Sequence, residues 1–395
     1  MTAALSDIKV LETGSMLAGP FCGTLLGDFG AEVIKLEKPG KPDALREWPP
    51  FKDGKPLWWK AMARNKRLAT LDISRPEARE ATLSLIGRSD IVIENFRPGT
   101  LERWGLGPAD LAAQFPHVVW VRVSGYGQTG PHSGRGGYAT IAEAYSGLAS
   151  FTGFPDRGPM ISAFPLGDYI AGTYAAFGAM AAINARRHTG RGQVVDVSLF
   201  EPFLRIIESA IVRFDQTGKK KPLLGNQMEE DVPRNIYATR DGHVAISVGS
   251  QAIFNNLLDA MGRADLKGDP RFSSQDARSE HRDETDGLVR DWLARHTTQE
   301  ALAAFDAHKV VAGKINDMAD VFADPHVAAR EALITVMDPQ FGPMRLPAPV
   351  PKLSDTPGAV RWTGGDPGAD NDHVFRKVLG MDTQAVERMR KAGVI

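Results

Sequence analysis

The feature that most constrains the fold is the alternation of short β-branched runs with helical patterns over the first third of the chain. Ile8–Glu12, Ala31–Glu37, Leu68–Ile73, Asp90–Glu94 and Val118–Val123 read as strands, and Phe21–Phe29 and Pro76–Gly87 between them read as helices. Parallel neighbours need crossover connections, usually helical, so strand and helix taking turns predicts a mostly parallel sheet covered on both faces. The expected class is α/β, with a Rossmann-like layout.

At 395 residues the chain exceeds what one hydrophobic core usually supports, and a second unit is expected. The middle is richer in helix: Tyr138–Phe151, then a long stretch from Asp168 to His188 that stops at Thr189-Gly190, a C-terminal cap signal. A strand at Gln193–Val197 and a further helix follow. Beyond the charged, linker-like Lys219, Lys220, Lys221 and Pro222 the texture changes. Ile236–Thr239 and Val244–Val248 flank Asp241-Gly242, a hairpin pattern whose Asp-Gly suits the positive φ angles of a type I′ turn. Helices continue to about Ala323, and the chain returns through the Pro- and Gly-rich Asp338–Pro357 to a short C-terminal helix.

Several function classes are disfavoured. Lys plus Arg number 47 against 48 Asp plus Glu, which offers no general field for nucleic acid or an anionic membrane. Cys22 is the only cysteine, so no intrachain disulfide or thiolate cluster can form, and a reducing compartment is the simpler reading. The opening MTAALSDIKVLE lacks the pattern of a secretory or transit signal, giving a cytoplasmic expectation. The most apolar stretch, Tyr169–Ile183, is broken by Gly172 and Gly178 and belongs in a core. The nine histidines are scattered without ligand spacing, so no metal is expected. Gly14–Gly19 occupies the place of a dinucleotide loop, but G-S-M-L-A-G is not G-x-G-x-x-G, and Pro20-Phe21 replaces the Lys-Ser/Thr of a phosphate-binding loop. No G-x-S-x-G elbow surrounds Ser124 or Ser146.

Two features can carry chemistry. Asp168 opens the long central helix, where an Asp is a favoured N-cap. The same position keeps a carboxylate ionised through backbone N–H groups and the helix dipole, as a carboxylate nucleophile requires. The second feature is basic and sits near strand ends: Lys35, Lys38, Asn65-Lys66-Arg67, and Asn95-Phe96-Arg97-Pro98-Gly99 with Arg103. Ligands of open α/β sheets bind outside the carboxyl ends of the strands, so these cations either converge on phosphates, with Phe96 or Trp48 packing a flat ring, or form a solvated rim.

The segments V-L-E-T-G-S-M-L-A-G-P (Val10–Pro20), A-E-V-I-K-L-E-K-P-G (Ala31–Gly40), N-K-R (Asn65–Arg67) and E-N-F-R-P-G-T-L-E-R-W-G-L (Glu94–Leu106) resemble the class III coenzyme A transferases. This is the family of formyl-CoA transferase, carnitine CoA-transferase and α-methylacyl-CoA racemase. S-G-Y-G-Q-T-G-P (Ser124–Pro131), G-D-Y-I-A-G (Gly167–Gly172), T-G-R-G-Q-V-V-D-V-S-L (Thr189–Leu199) and the terminal K-A-G-V-I extend the likeness along the whole chain.

The resemblance implies a large Rossmann-like domain formed by both termini, a smaller inserted α+β domain and an interlocked homodimer. Laid on this sequence, the large coenzyme-binding domain is 1–200, a linker 201–225, the small domain 226–325, and 326–395 returns to the large domain. It further implies that Asp168 attacks an acyl-CoA and passes through an anhydride and an aspartyl-CoA thioester. Acyl-CoA and a small carboxylic acid are then substrates, and no cofactor is permanently bound. Carried over residue by residue, Lys38, Lys66, Asn95, Phe96, Arg103 and Tyr138 contact the coenzyme, and the backbone at Ser15 and Met16 approaches it. Gly225-Asn226-Gln227 matches the glycine-rich loop that closes over the site, although formyl-CoA transferase has a longer glycine run there. Trp48, Arg46 and Arg135 are candidates for the substrate, a guanidinium holding a second carboxylate such as that of succinate. Two departures bear on the activity. The racemase branch pairs a His with the Asp, but Tyr138 stands there, a poor base at neutral pH, which ranks the racemase below the transferase. Ala139 occupies a place where transferases often carry an acid.

Overall fold

A computed structural model describes residues 2–395. Six strands form an all-parallel sheet: β1 (Lys9–Glu12), β2 (Glu32–Glu37), β3 (Lys66–Thr70), β4 (Ile91–Glu94), β5 (Val119–Ser124) and β6 (Val194–Ser198), in the order β6-β5-β4-β1-β2-β3. The fold is mixed α/β with a parallel central sheet. β3 starts two residues earlier than the apolar run suggests, because Lys66 and Arg67 pair in register with Val33 and Ile34. Since the order reverses between β1 and β4, the loops leaving these two strands diverge and open a crevice at their carboxyl ends.

Successive residues of a strand face opposite sides, and both sides are apolar here. Val10, Ile91, Ile93, Val119 and Val121 face one core with helices α1 (Ala18–Asp28) and, much further on, α4 (Leu166–Thr189). Leu11, Val92 and Trp120 face the other, shared with α2 (Arg79–Gly87) and the C-terminal α10 (Thr383–Lys391). Each such Val or Ile removed from water contributes about 1.5–3 kcal/mol.

Helix α3 (Ala139–Tyr145) is shorter than the apolar pattern suggested and ends just before Gly147, whose φ is +91°. Helix α4 buries a line of small residues, Ala171, Gly172, Ala175, Ala179 and Ala182, which lets it approach α1 closely. A Cβ on Gly172 would lie 2.6 Å from the Ala18 carbonyl oxygen and 3.1 Å from the Phe21 side chain. The helix ends at Gly190 in the left-handed conformation, as its Thr-Gly signal implies.

The chain divides into two compact units. The larger runs to Leu148 and includes Ser162–Asp215 and Ala329–Ile395; the smaller comprises Ala149–Ile161 and Gln216–Ala328. Much of the expected linker is helical, α5 (Glu201–Ile206) and α6 (Glu208–Thr217), the first begun by Pro202 and an acidic first turn. Within the larger unit the returning segment forms a hairpin, β10 (Leu333–Asp338) and β11 (Gly342–Pro347), where irregular chain was expected. It then covers the sheet edge: Asp370 and Asn371 accept the N–H groups of Leu68 and Thr70, both at 2.8 Å. Those groups would otherwise be the open pairing positions of an edge strand.

The smaller unit is a three-stranded antiparallel sheet, β7 (Arg234–Ala238), β8 (His243–Ser247) and β9 (Ala312–Lys314), packed on α7 (Gln251–Ala260), α8 (Arg282–Leu293) and α9 (Thr298–Ala307). The hairpin is present but its turn is not type I′. Neither Asp241 nor Gly242 takes a positive φ. The Asp241 carboxylate instead accepts the backbone N–H and hydroxyl of Thr298, at 2.7 and 2.9 Å.

Candidate active site

The crevice at the switch point is built from the residues that follow β1 and β4. Asn95 joins the two loops: its Oδ1 accepts the Ser15 N–H and its Nδ2 donates to the Ser15 carbonyl, both at 2.8 Å. Gly14 must lack a side chain, because a Cβ would sit 2.6 Å from Asn95 Oδ1. Met16 takes φ +67°, unusual for a side chain with a Cβ, and its N–H is held by Asp43 Oδ1 at 2.9 Å.

Beneath this loop lies a buried charge network. Lys35 Nζ reaches Glu12 at 3.0 Å, Asp43 at 2.8 Å and the Gly14 carbonyl at 2.8 Å. Lys66 Nζ reaches Glu12 at 2.7 Å and the Pro20 carbonyl at 2.6 Å. Burial opposes the Lys35 charge, but Asp43, Glu12 and Glu37 outweigh it and hold its pKa above the ordinary lysine value. For Lys66 burial prevails, with Lys35 adding to it, and the pKa is lowered. Burial also opposes the Asp43 charge, yet Lys35 and the N–H groups of Leu45 and Met16 keep its carboxyl below the usual range.

Outside the loop is a cleft of about 310 Å³, lined among others by Ser15, Lys38, Lys41, Asp72, Phe96 and Trp104. Lys38 is half exposed and pairs with Asp72 at 3.0 Å. Phe96 meets Trp104 edge-on at 5.4 Å. Cations beside flat rings suit phosphates and a base, and the volume suits one end of a larger ligand. Arg103 is exposed one turn beyond, donating to Thr100 at 2.9 Å, and does not line the cleft.

The first turn of α4 meets the first turn of α1, through Tyr169 on Phe21 at 4.5 Å and Gly172 on Ala18. Asp168 lies on this turn, one helical turn before Gly172 and on the same face. It is the third residue of the helix rather than its cap, and its carboxylate accepts no hydrogen bond among the described residues. The ionising hydrogen bonds expected of a capping Asp are therefore missing, and of the two expected influences only the helix dipole at the first turn remains. Burial raises its pKa to about 6, and no charged group contributes. Such a carboxylate is still roughly nine-tenths ionised at pH 7, and its greater basicity makes it a better nucleophile than an ordinary Asp.

The chain that carries this ligand cleft at the switch point and a lone carboxylate on a neighbouring helix matches a family model for CoA-transferase family III over residues 5–373. The chain belongs to CoA-transferase family III. It is 43% identical over 393 residues, 99% of this chain and 98% of the other, to the succinyl-CoA–D-citramalate CoA-transferase of Chloroflexus aurantiacus. The beta subunit of the succinyl-CoA–L-malate CoA-transferase of the same organism is 38% identical, covering 100% of this chain and 98% of the other. In three dimensions the chain is similar to a CAIB/BAIF family protein from Brucella suis, with a TM-score of 0.85, 30% identity, and coverage of 96% and 100%.

The structure places the remaining candidates of this CoA-transferase as follows. Lys66 is 1% exposed, and its ammonium is committed to Glu12 and Pro20, so it supports the loop from inside instead of facing a phosphate. Arg46 is likewise committed. It makes a bidentate pair with Glu37 at 2.7 and 2.8 Å, donates to the Gly365 carbonyl and stacks over Trp59, leaving no donor fork for a substrate carboxylate. Arg135 is exposed in the loop before α3. Tyr138 is 75% exposed at the start of that helix. Ala139, next to it, is buried, and the backbone of Gly167 approaches so closely that a Cβ there would lie 3.1 Å from the Ala139 Cα.

Gly225, Asn226 and Gln227 lie in the smaller unit, along a groove of about 550 Å³ beside β7, β8 and β9. Gly225 has φ +64° and sits against the Phe154 ring, while the Gln227 amide is bonded to Asp286 and Arg282.

Trp48, a candidate from the sequence, belongs to an aromatic wall beside Asp168 whose other members sequence reasoning missed. Trp48 and Trp58 are 6.1 Å apart, Trp58 and Phe164 6.3 Å, and Phe164 stacks on Tyr169 at 4.9 Å. Trp58 Nε1 donates to the Tyr169 hydroxyl at 2.9 Å. Trp48 and Phe164 remain 43% and 52% exposed. Besides Trp48 the only local signal was the Trp58-Trp59 pair; the wall is assembled from three separate stretches of chain.

Proposed function

We propose that this CoA-transferase moves coenzyme A from succinyl-CoA to a second dicarboxylic acid, with Asp168 as its nucleophile. The observation that carries the reading is the Asp168 carboxylate itself: half-buried, unbonded, free of any neighbouring cation, and with a pKa of about 6. The succinyl donor is supported by the names of the two Chloroflexus relatives, which act on citramalate and malate.

In this reading the Asp168 carboxylate attacks the thioester carbonyl and the coenzyme leaves as its thiolate, giving a mixed anhydride. The thiolate attacks the aspartyl carbonyl and releases the first acid, leaving an aspartyl-CoA thioester. The acceptor carboxylate displaces the thiolate to form a new anhydride. The thiolate then takes the acceptor acyl group and Asp168 is regenerated. Each step exchanges one activated acyl for another, so positioning and stabilisation of the oxyanion supply most of the catalysis. Ser15, Met16, Lys38, Asn95 and Phe96 are assigned to the coenzyme, with Arg103 and Tyr138 at its margins.

The same reading takes the protein as an interlocked, cytoplasmic homodimer, with Gly225-Asn226-Gln227 as its glycine-rich loop. Phe177 on α4, 73% exposed, and Ile211, Val212 and Phe214 on α6, a helix without a buried residue, favour coverage by a second copy. No helix among the described residues is long and apolar enough to cross a membrane.

The test is chemical trapping. Incubated with succinyl-CoA and then hydroxylamine, the protein is expected to carry a hydroxamate on Asp168, located by mass spectrometry. Turnover with Asp168 never modified would reject the assignment.

A further inference from the structure

Two donors of the aromatic wall have no acceptor among the described residues, the half-exposed Trp48 indole N–H and the Tyr169 hydroxyl, and the second belongs to the residue next to Asp168. Tyr169 follows Asp168 directly, and its ring is fixed on two sides, edge-on to Phe21 at 4.5 Å and stacked on Phe164 at 4.9 Å. The indole N–H of Trp58 occupies one lone pair of the hydroxyl at 2.9 Å. The phenol is thus oriented as an acceptor toward Trp58, while its own proton finds no acceptor among the described residues. Burial, with the Asp168 charge adding to it, raises the phenol pKa above the ordinary value, so the proton stays in place at neutral pH.

Arg64 is the one cation that acts on the phenol, and its guanidinium is committed to the buried Asp28 carboxylate at 3.0 and 2.6 Å. Arg46 is closed off by Glu37 and Gly365, and nothing charged contributes to the ionisation of Asp168. An acyl chain joined to Asp168 would start one residue from Tyr169, whose ring stacks on Phe164 and whose hydroxyl holds Trp58. Its methylenes suit the ring faces. A carboxylate at its far end is costly to leave without a partner in such a place.

We propose that Tyr169 selects the acyl group, donating a hydrogen bond to the distal carboxylate of a dicarboxylic acyl chain carried on Asp168. Trp58 is a positioning residue in this scheme, since it fixes the rotation of the phenol that touches substrate. A monocarboxylic acyl chain of the same length leaves the Tyr169 proton unpaired. The proposal rests on Asp168 being the nucleophile.

The experiment compares succinyl-CoA with butyryl-CoA, which have equal chain lengths, in the first half-reaction alone. The rate of hydroxylamine-trapped modification at Asp168 is measured in wild type, Tyr169→Phe and Trp58→Phe. In Tyr169→Phe the preference for succinyl over butyryl is expected to fall about 10- to 100-fold, the value of a hydrogen bond to a charged group. In Trp58→Phe, which keeps the phenol but frees its rotation, the same preference is expected to fall by a smaller factor. A preference unchanged in Tyr169→Phe, or equal losses with both donors in both variants, would overturn the proposal while Asp168 labelling left the nucleophile standing. Wild type that turns over either donor without Asp168 modification would overturn both.

Discussion

Asn95 and Ser15 are joined through both edges of one side-chain amide, at 2.8 Å in each direction. Because these residues leave the two strands that flank the switch point, the amide sets the spacing of the loops that form the proposed coenzyme cleft.

Asn95→Asp preserves the shape of that side chain but replaces the donor to the Ser15 carbonyl with an acceptor. One hydrogen bond becomes a repulsion, and the loop moves away from β4. The expected result is a KM for acyl-CoA raised about tenfold with a smaller change in kcat, since roughly 1 kcal/mol or more of positioning is lost. Steady-state kinetics decide it, and an unchanged KM would detach this clamp from coenzyme binding.

Lys35→Met removes the cation shared by Glu12 and Asp43. Glu12 keeps Lys66, but Asp43 loses its cationic partner while remaining buried. Breaking a buried pair in this way costs about 3–5 kcal/mol, to be read from chemical denaturation at pH 7. The pH dependence has a definite sign. The Asp43 pKa is depressed in the folded protein, so its ion pair stabilises wild type above the unfolded value of 3.8 and is lost as pH falls through the lower folded value. The variant has no such pair to lose, and the gap between the two proteins is expected to narrow in acid.

Much of the sheet was legible because its signal is local: β-branched runs bounded by turns. The burial of individual cations was not. Lys35, Lys38 and Lys66 look alike in sequence, and only Glu12 and Asp43, brought in by other segments, separate the two interior ammoniums from the one in the cleft. Arg46 misled for the same reason, since its partner Glu37 sits on a neighbouring strand. Capping rules placed Asp168 at the helix entrance, but three positions too early in the helical frame: the cap is Pro165, the helix starts at Leu166, and the carboxylate projects from its third position without bonding an N–H. That shift changes a stabilised anion into one left unbonded and half-buried.

Gly172 reports on the packing that carries Asp168. A methyl group there lies 2.6 Å from the Ala18 carbonyl oxygen, which is backbone and cannot swing aside, so α4 has to move away from α1. Gly172→Ala is expected to lose about 1–3 kcal/mol by overpacking and to lower kcat, because Asp168 shifts with the helix. Gly287→Ala in α8 is the contrast. A Cβ there meets only the Arg290 guanidinium at 3.5 Å, so relief of backbone entropy is expected to stabilise the protein by about 0.5–1 kcal/mol. Calorimetry on the two variants separates steric conflict from helix propensity; a destabilising Gly287→Ala would show that helix propensity is not the governing term.

Asp168 links activity to stability through one pKa. The nucleophile is the ionised form, so kcat/KM for acyl-CoA is expected to rise with pH up to about 6 and to level off above it. Stability runs the other way. The folded pKa of about 6 exceeds the unfolded value of 3.8, so folding takes up a proton between them and the wild type loses stability as pH rises across that interval. At pH 7 the folded protein carries a buried anion at a cost of up to about 3 kcal/mol, from 1.36 kcal/mol per pKa unit. Asp168→Asn removes that charge while nearly preserving shape. It is expected to abolish transfer, to unfold at higher denaturant than wild type at pH 7, and to lose this advantage below about pH 4. Equal stabilities of the two proteins at pH 7 would mean that the carboxylate is solvated in the free enzyme, and the pH–rate profile would then break near 4 instead of 6.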